Sequence, residues 1–396
     1  MSCEVTEIDP AARRVRTRQG ASQGQAASSG SAAGSGAGAQ AGDGSHPDAW
    51  EPFDKLVIAT GASPIRPKVP GLEARGVYSP TSLDEGLRLR ALLDEGGPRR
   101  AVIVGGGYIG IEMAEALVLR GLEVSLVDML PQVMGTLDAD MAALVAKALE
   151  AAGVSLHLEE ALEGFESHQG WLAAVRTNKG TLPADVAVLG LGVRPNSALA
   201  AGAGLALGDR GAIKVDDHLR TAVGGIWAAG DCAESFHLVS RRPAHIALGS
   251  VANKHGRVVG INVAGGDARF PGVVGTAVTK FLETEVARTG LGEREAQALG
   301  LDYAVGKIDG ATKARYYPGA AAITVKLLAE RGSGRLLGSQ IVGGAGSAKR
   351  IDSLAVALHA GLTVEDVVGL DLGYAPPFSG VWDPVHLAAR QAVKLV

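Results

Sequence analysis

The sequence predicts an α/β fold, and three observations carry that prediction. A short apolar strand at 101–104 runs into Gly105-Gly106-Gly107-Tyr108-Ile109-Gly110 and then into a helical stretch over 108–120. A second strand, 123–128, follows that helix and ends on an acid, Asp128. Further on, DVAVLGLGVRP at 185–195 repeats the plan of DKLVIATGASP at 54–64: an acid, an apolar strand, then glycine, two residues and proline. Two such closing strands imply two similar nucleotide-binding units.

Taken in order, residues 3–18 alternate apolar and polar, with Val5, Ile8 and Val15 among charges and Asp9-Pro10 as a turn, which predicts a β-hairpin. The stretch 20–44 is almost entirely Gly, Ala, Ser and Gln. Such a run cannot bury enough apolar surface to offset its ordering entropy, so a disordered insertion is expected over 20–49. A strand at 55–59, a helix near 81–95 and a helix over 138–152 follow, and a further helix is expected over 245–261. Residues 270–396 suggest an α+β domain, with strands near 273–279, 321–328 and 335–341 and helices near 293–299 and 348–360.

The closing strand at 185 has its opener in the glycine turn at 105–110. The one at 55 has none, because only a hairpin and the insertion precede it. The expected architecture is two Rossmann-like nucleotide-binding domains, the first truncated, plus a C-terminal α+β domain. The expected boundaries are 1–98 for the remnant of the first domain, 99–215 for the second, 216–265 for the returning part of the first, and 266–396 for the last.

Bulk properties narrow the function. With 38 basic and 42 acidic residues the formal net charge is −4, which gives no electrostatic reason to expect nucleic acid or an anionic membrane. Aromatic residues are only 4%, too few for base-stacking platforms. No apolar run approaches the ~18 residues of a membrane span. The N-terminus shows no secretory pattern, so a cytoplasmic location is expected. Cys3 and Cys232 form no disulfide framework, and no metal site is expected.

The glycine turn carries the chemistry. Gly105 permits the sharp turn, Gly107 lets the backbone approach a pyrophosphate, and Gly110 lets helix pack on strand. The helix start offers unpaired N–H groups and a partial positive charge to phosphates. Asp128, 23 residues after Gly105, is placed to accept hydrogen bonds from a ribose 2′-hydroxyl. It would repel a 2′-phosphate, and Met129-Leu130-Pro131-Gln132 supplies no arginine to compensate. NADH is therefore expected over NADPH. The bland reading of Asp128 is a carboxylate that caps a loop.

The stretches LVIATGASP, AVIVGGGYIGIEMAEAL, LGVRPNS, GGIWAAGDCAE, ANKHGR, YYPGA, KRID and YAPPFSGVWDP occur in this order along the chain. Together they resemble the pyridine nucleotide–disulfide oxidoreductases, closest to the branch with coenzyme A-disulfide reductase, NADH oxidase and NADH peroxidase. The resemblance implies FAD and NADH as cofactors, with hydride passing from nicotinamide through flavin to a disulfide, persulfide, peroxide or oxygen. It implies that Gly105, Gly107, Gly110 and Asp128 bind NADH and that Glu112 lies near the nicotinamide, or is an ordinary surface acid. Thr60 and Gly61 would lie on the FAD side, with Gly192 as their counterpart in the second unit. Asp231 would accept from the flavin's ribityl and phosphate region, or simply cap a helix. Residues 246–253, with Ala247, would place a helix start near the flavin pyrimidine edge. The C-terminal domain would form a two-fold homodimer. Tyr316, Tyr317 and Tyr374 resemble tyrosines that approach the partner subunit's redox site, with buried core tyrosine as the alternative. Tyr317 and Tyr374 are the candidates for a catalytic role. Arg350 and Asp352 would touch either substrate or the dimer partner.

The resemblance breaks in two places. The family's own FAD-side glycine turn and the redox cysteine that follows it have no counterpart here, and neither Cys3 nor Cys232 matches that cysteine in position. The C-terminal His-Pro-Thr relay of larger members is replaced by Tyr374-Ala-Pro-Pro. The expectation is a chain lacking its first Rossmann half, with a misplaced start codon as one cause. The competing readings are an NADH-binding dimeric scaffold without turnover and a flavin-free alcohol dehydrogenase.

Overall fold

The computed structural model describes residues 3–19 and 49–396. Apart from Ala49, which opens a strand, the expected insertion lies outside the described residues. The chain forms two compact units. One holds the residues up to Ala62 with 195–235 and 245–271; the other holds 63–194, 236–244 and 272–396.

In the first unit, the expected hairpin pairs Cys3–Asp9 antiparallel with Arg14–Gln19, and Ala49–Pro52 adds a third strand. Its closing strand, Leu56–Ile58, runs parallel to one neighbour, Ile226–Ala228. Ile8, Ile58, Ile213, Ile226 and Cys232 pack as its core. The longer helix of this unit runs Gly249–Val263, starting four residues later than its sequence pattern suggests.

In the second unit, the strand Arg100–Val104 lies at the centre of a five-stranded parallel sheet. The spatial order is Val77–Tyr78, Val186–Leu189, Arg100–Val104, Glu123–Asp128, Ser155–Leu158. Ala101, Val102, Ile103 and Val104 are all buried, as strands covered on both faces must be. The helices Tyr108–Leu119 and Ala139–Ala151 pack on this sheet through Ile111, Ala114, Leu117, Met141, Val145 and Leu149. A three-stranded antiparallel meander spans Leu162–His168, Trp171–Thr177 and Gly180–Pro183.

The same unit contains a five-stranded antiparallel sheet in the order Ala277–Phe281, Thr284–Gly290, Leu336–Gly343, Ala322–Glu330, Tyr303–Ala311. The helices Ile351–Ala360 and Pro384–Val393 bury Leu354, Leu358, Val385 and Ala389 in its core. The sequence pattern locates three of these five strands. Thr284–Gly290 and Tyr303–Ala311 escape it, because Thr, Glu, Arg and Gly interrupt the first and Gly306, Lys307, Asp309 and Gly310 the second.

Candidate functional site

The glycine turn at 105 is built for backbone proximity. Gly105 has φ +101°, and its N–H donates to Val127 O at 2.8 Å, which ties the turn to the next strand. A Cβ on Gly110 would lie 2.0 Å from Gly105 O, and one on Gly105 would lie 2.6 Å from Gly190 O. Any side chain at either position would drive backbone into backbone. Gly107 differs: a Cβ there would meet nothing closer than Gly190 O at 4.0 Å. Its requirement is not internal packing, as expected where a pyrophosphate approaches. Gly107 also caps the helix Tyr108–Leu119 with no side-chain bond, so no side chain competes for the first-turn N–H groups.

Asp128 ends its strand with both carboxylate oxygens in use. Oδ2 accepts from Gly106 N–H at 2.7 Å and Oδ1 from Leu130 N–H at 2.8 Å. Each oxygen keeps a further lone pair for a ribose hydroxyl. The loop-capping bonds of the sequence reading are present, and they leave acceptor capacity on both oxygens. Glu112, on the exposed face of the helix, accepts from Thr279 Oγ1 at 3.0 Å. Gly192 adopts φ +84°, and its carbonyl accepts from Ile65 N–H.

The segment between Asp128 and Ala139 is held from the antiparallel sheet, a feature the sequence reading missed. Met134 N–H donates to Gly106 O at 2.7 Å, Arg288 donates to Thr136 O at 2.7 Å, and Asp138 N–H donates to Gln340 Oε1 at 2.8 Å. Lys326 lies beneath this segment, 2% exposed, with its ammonium 3.0 Å from Asp138, 2.7 Å from Asp140 and 2.5 Å from Glu293. These three carboxylates are the one group among the described residues with the spacing to hold a metal ion. The lysine ammonium stands where the ion would be, and the three acids raise its pKa against the opposing effect of burial. The signal was present in AITVKLLAE, where one lysine interrupts a strand of otherwise apolar character.

In the first unit, Thr60 and Asn196 are bonded both ways: Thr60 Oγ1 to Asn196 O at 2.5 Å and Asn196 Nδ2 to Thr60 O at 2.9 Å. Gly61 follows with φ +66°. Asp231 sits half-buried after Gly230, which has φ +76°. Its carboxylate makes no hydrogen bond among the described residues, while its carbonyl pairs with His245 Nε2 at 2.7 Å. A partly sheltered acid without donors suits the hydroxyls of a flavin ribityl chain, so the residues here fit that part of FAD. Ala247 lies two residues before the helix start at Gly249, whose N-cap, Leu248, offers no side-chain cap. Cys232 is buried, and its thiol donates to Ile58 O and Ala229 O, the arrangement of an inert core cysteine; Cys3 is exposed.

Residues 1–256 match the family model described as pyridine nucleotide-disulphide oxidoreductase, and residues 276–385 match that family's dimerisation domain. The chain belongs to this family. It is 38% identical over 339 residues to a NAD(P)H coenzyme A polysulfide/persulfide reductase of Pyrococcus horikoshii, covering 85% of this chain and 76% of that one. It is 36% identical to a NADH oxidase of Methanocaldococcus jannaschii, covering 86% and 76%. Among solved structures, a NAD-dependent persulfide reductase from A. fulgidus superposes with a TM-score of 0.88 at 38% identity, covering 99% of this chain and 68% of that one. The chain thus spans about three quarters of the length of these curated relatives. As a pyridine nucleotide–disulphide oxidoreductase it is an FAD- and NAD(P)H-dependent enzyme. No helix among the described residues is long and apolar enough to cross a membrane.

Within the dimerisation domain of this oxidoreductase, Tyr316, Tyr317 and Tyr374 are 78%, 37% and 51% exposed, so none is a core tyrosine. Arg350 is committed internally: it donates to Asp383 Oδ2 at 2.9 Å and to the carbonyls of Gly346, Thr312 and Phe378. It thereby ties the loop that carries Tyr316 and Tyr317 to the loop that carries Tyr374. Asp352 pairs with Lys349.

Proposed function

We propose that this oxidoreductase takes hydride from NADH, in preference to NADPH, and delivers the electrons to a sulfane sulfur such as a coenzyme A-bound persulfide. Bound FAD would supply the capacity to accept a hydride and to pass on two electrons. The overall balance is NADH, a proton and RSSH giving NAD⁺, RSH and H₂S. The protein's own residues bind and orient. The turn 105–110 presents amide hydrogens to the pyrophosphate, Asp128 takes the ribose hydroxyls, and Glu112 lies one turn into the same helix. Asp231 would accept from the ribityl hydroxyls, with Thr60, Gly61 and the segment around Ala247 as the other FAD-side residues of the same unit, and Gly192 would serve the cofactor-binding role in the second unit. In this reading residues 99–215 form the NAD-binding domain, and residues 266–396 pair with a second copy to make a homodimer. Tyr317 and Tyr374, whose phenols stay accessible, would donate protons to the acceptor at the partner subunit's site. A cytoplasmic location belongs to the same reading.

The carrying observation is Asp128, at the end of its strand and hydrogen-bonded to the glycine turn itself. A 2′-phosphate 4 Å from that carboxylate would be repelled by about 4 kcal/mol at an effective dielectric of 20, and half of that remains more than tenfold in affinity. Molecular oxygen is the second reading for the acceptor, favoured by the NADH oxidase relative. Anaerobic NADH turnover with coenzyme A persulfide, followed by H₂S release, separates the two. The sulfur reading expects stoichiometric H₂S under anaerobic conditions. NADH consumption that needs oxygen and yields no H₂S contradicts it.

A further inference from the structure

The imidazole of His255 is fully buried on the helix Gly249–Val263, facing the Asp231 turn. Its Nδ1 lies 3.2 Å from Gly230 N, and its Nε2 lies 3.2 Å from Ser235 Oγ. The ring of Phe270 closes a third side edge-on, with centroids 4.5 Å apart. A backbone amide can only donate, so Nδ1 is the unprotonated nitrogen and the ring proton sits on Nε2, directed at the serine oxygen. One ring therefore grips both ends of the segment 230–235, and Asp231 lies inside the grip. The neutral state is secured by burial, which lowers the pKa of His255 to about 4. A protonated ring would set N–H against N–H at Gly230.

We propose that His255 is a positioning residue for the flavin: by accepting from Gly230 N–H and donating to Ser235 Oγ it fixes the turn that presents Asp231 to the ribityl hydroxyls. This rests on the assignment of Asp231 to FAD. In a Rossmann turn the glycine amides are normally fixed by the adjoining strands, as Gly105 is by Val127 O. The strand leading to Gly230, Ile226–Ala228, pairs with Leu56–Ile58 on one side and bridges to Arg220 on the other, yet among the described residues the Gly230 amide itself bonds the imidazole in place of a strand carbonyl. Gly230 needs its left-handed conformation and has room around it, since a Cβ would approach nothing closer than Ala252 Cβ at 3.6 Å. Crowding does not fix Gly230: Ala229 N–H to Ile58 O, Ala233 N–H to Gly230 O and His245 to the Asp231 carbonyl brace its surroundings, and the imidazole is what accepts from the Gly230 amide itself.

The test is FAD titration of the flavin-stripped protein, read by flavin fluorescence, with NADH titration as the control that the second unit is intact. Four variants are compared: Asp231→Asn, His255→Leu, His255→Asn and His255→Gln. Leucine removes both bonds, the asparagine Oδ1 takes the place of Nδ1 and keeps the bond from Gly230, and the glutamine amide reaches only the place of Nε2 and keeps the bond to Ser235. Leaving a buried amide unpaired and the turn loose should weaken FAD roughly tenfold or more in His255→Leu and His255→Gln. His255→Asn should stay within about threefold of the parent. If His255→Leu does not fold, His255→Gln alone carries the comparison with His255→Asn. Parent-like FAD affinity in the leucine or glutamine variant, with Asp231→Asn impaired, overturns the role of His255. Equal losses in the asparagine and leucine variants overturn it too, since shape rather than hydrogen bonding would then matter. If Asp231→Asn binds FAD like the parent, the flavin assignment itself fails.

Discussion

The two turns of this molecule, 105–110 and 229–232, solve one problem in different ways. Each follows a buried parallel strand, each needs a glycine at positive φ, and each is associated with an acid assigned to a sugar or polyol. At 105 the strand lies mid-sheet, and backbone does the fixing: Val127 O holds Gly105, Met134 N–H holds Gly106 O, and the acid itself binds Gly106 N–H. At 230 the amide of the glycine bonds a buried imidazole, and the acid's carboxylate makes no hydrogen bond among the described residues. The difference teaches that a glycine amide in such a turn is fixed by whichever acceptor stands opposite it, a strand carbonyl in one turn and a side chain in the other.

The largest expected effect lies under the first turn. Lys326→Met leaves Asp138, Asp140 and Glu293 clustered without their central cation, and breaking a buried pair of this kind costs about 3–5 kcal/mol. Urea unfolding should show that loss. NADH affinity should fall with it, because the segment 134–138 bonds to Gly106 at one end and borders Lys326 at the other. Unchanged affinity in a destabilised variant would mean that the sheet alone holds the turn.

The second turn should reveal itself through pH. His255 titrates near 6.5 when unfolded and about 4 when folded, so between those values the unfolded chain binds the extra proton and stability rises with pH. The contribution is complete above pH 6.5 and is lost as pH falls towards 4, by about 3 kcal/mol in all. His255→Asn, which keeps the Gly230 bond, should flatten that part of the stability profile. An identical acid profile in the variant would show that the ring does not stay neutral in the fold.

The smallest effect concerns the exposed tyrosines. Tyr317→Phe and Tyr374→Phe should leave folding and NADH binding unchanged and lower kcat with a sulfur acceptor by roughly tenfold each, below the usual range for general acids because the two phenols share the task. Full kcat in the double variant would return both residues to the surface.

Much of this was legible in the sequence because it is local. Gly105, Gly107, Gly110 and Asp128 fall within 24 consecutive residues, and the helices over 108–120 and 138–152 show a period that burial explains. The meander at 162–183 escapes the pattern because Leu172, Ala174 and Val175 are buried beside exposed Trp171 and Ala173, so apolar and polar residues do not alternate along the strand. Arg350 illustrates the limit of motif reading, because its four acceptors come from four separate positions and convert a candidate substrate ligand into a clamp between loops. His255 and Lys326 needed the fold, since the partners of His255 lie 20 and 25 residues away and those of Lys326 from 33 to more than 180.

The most direct test is equilibrium titration of the parent and Asp128→Ala with NADH and NADPH at one ionic strength. The account predicts that the parent binds NADH at least roughly tenfold more tightly. It also predicts that Asp128→Ala loses NADH affinity and gains towards NADPH until the two converge. Equal affinities in the parent, or an alanine variant that discriminates as the parent does, would contradict it.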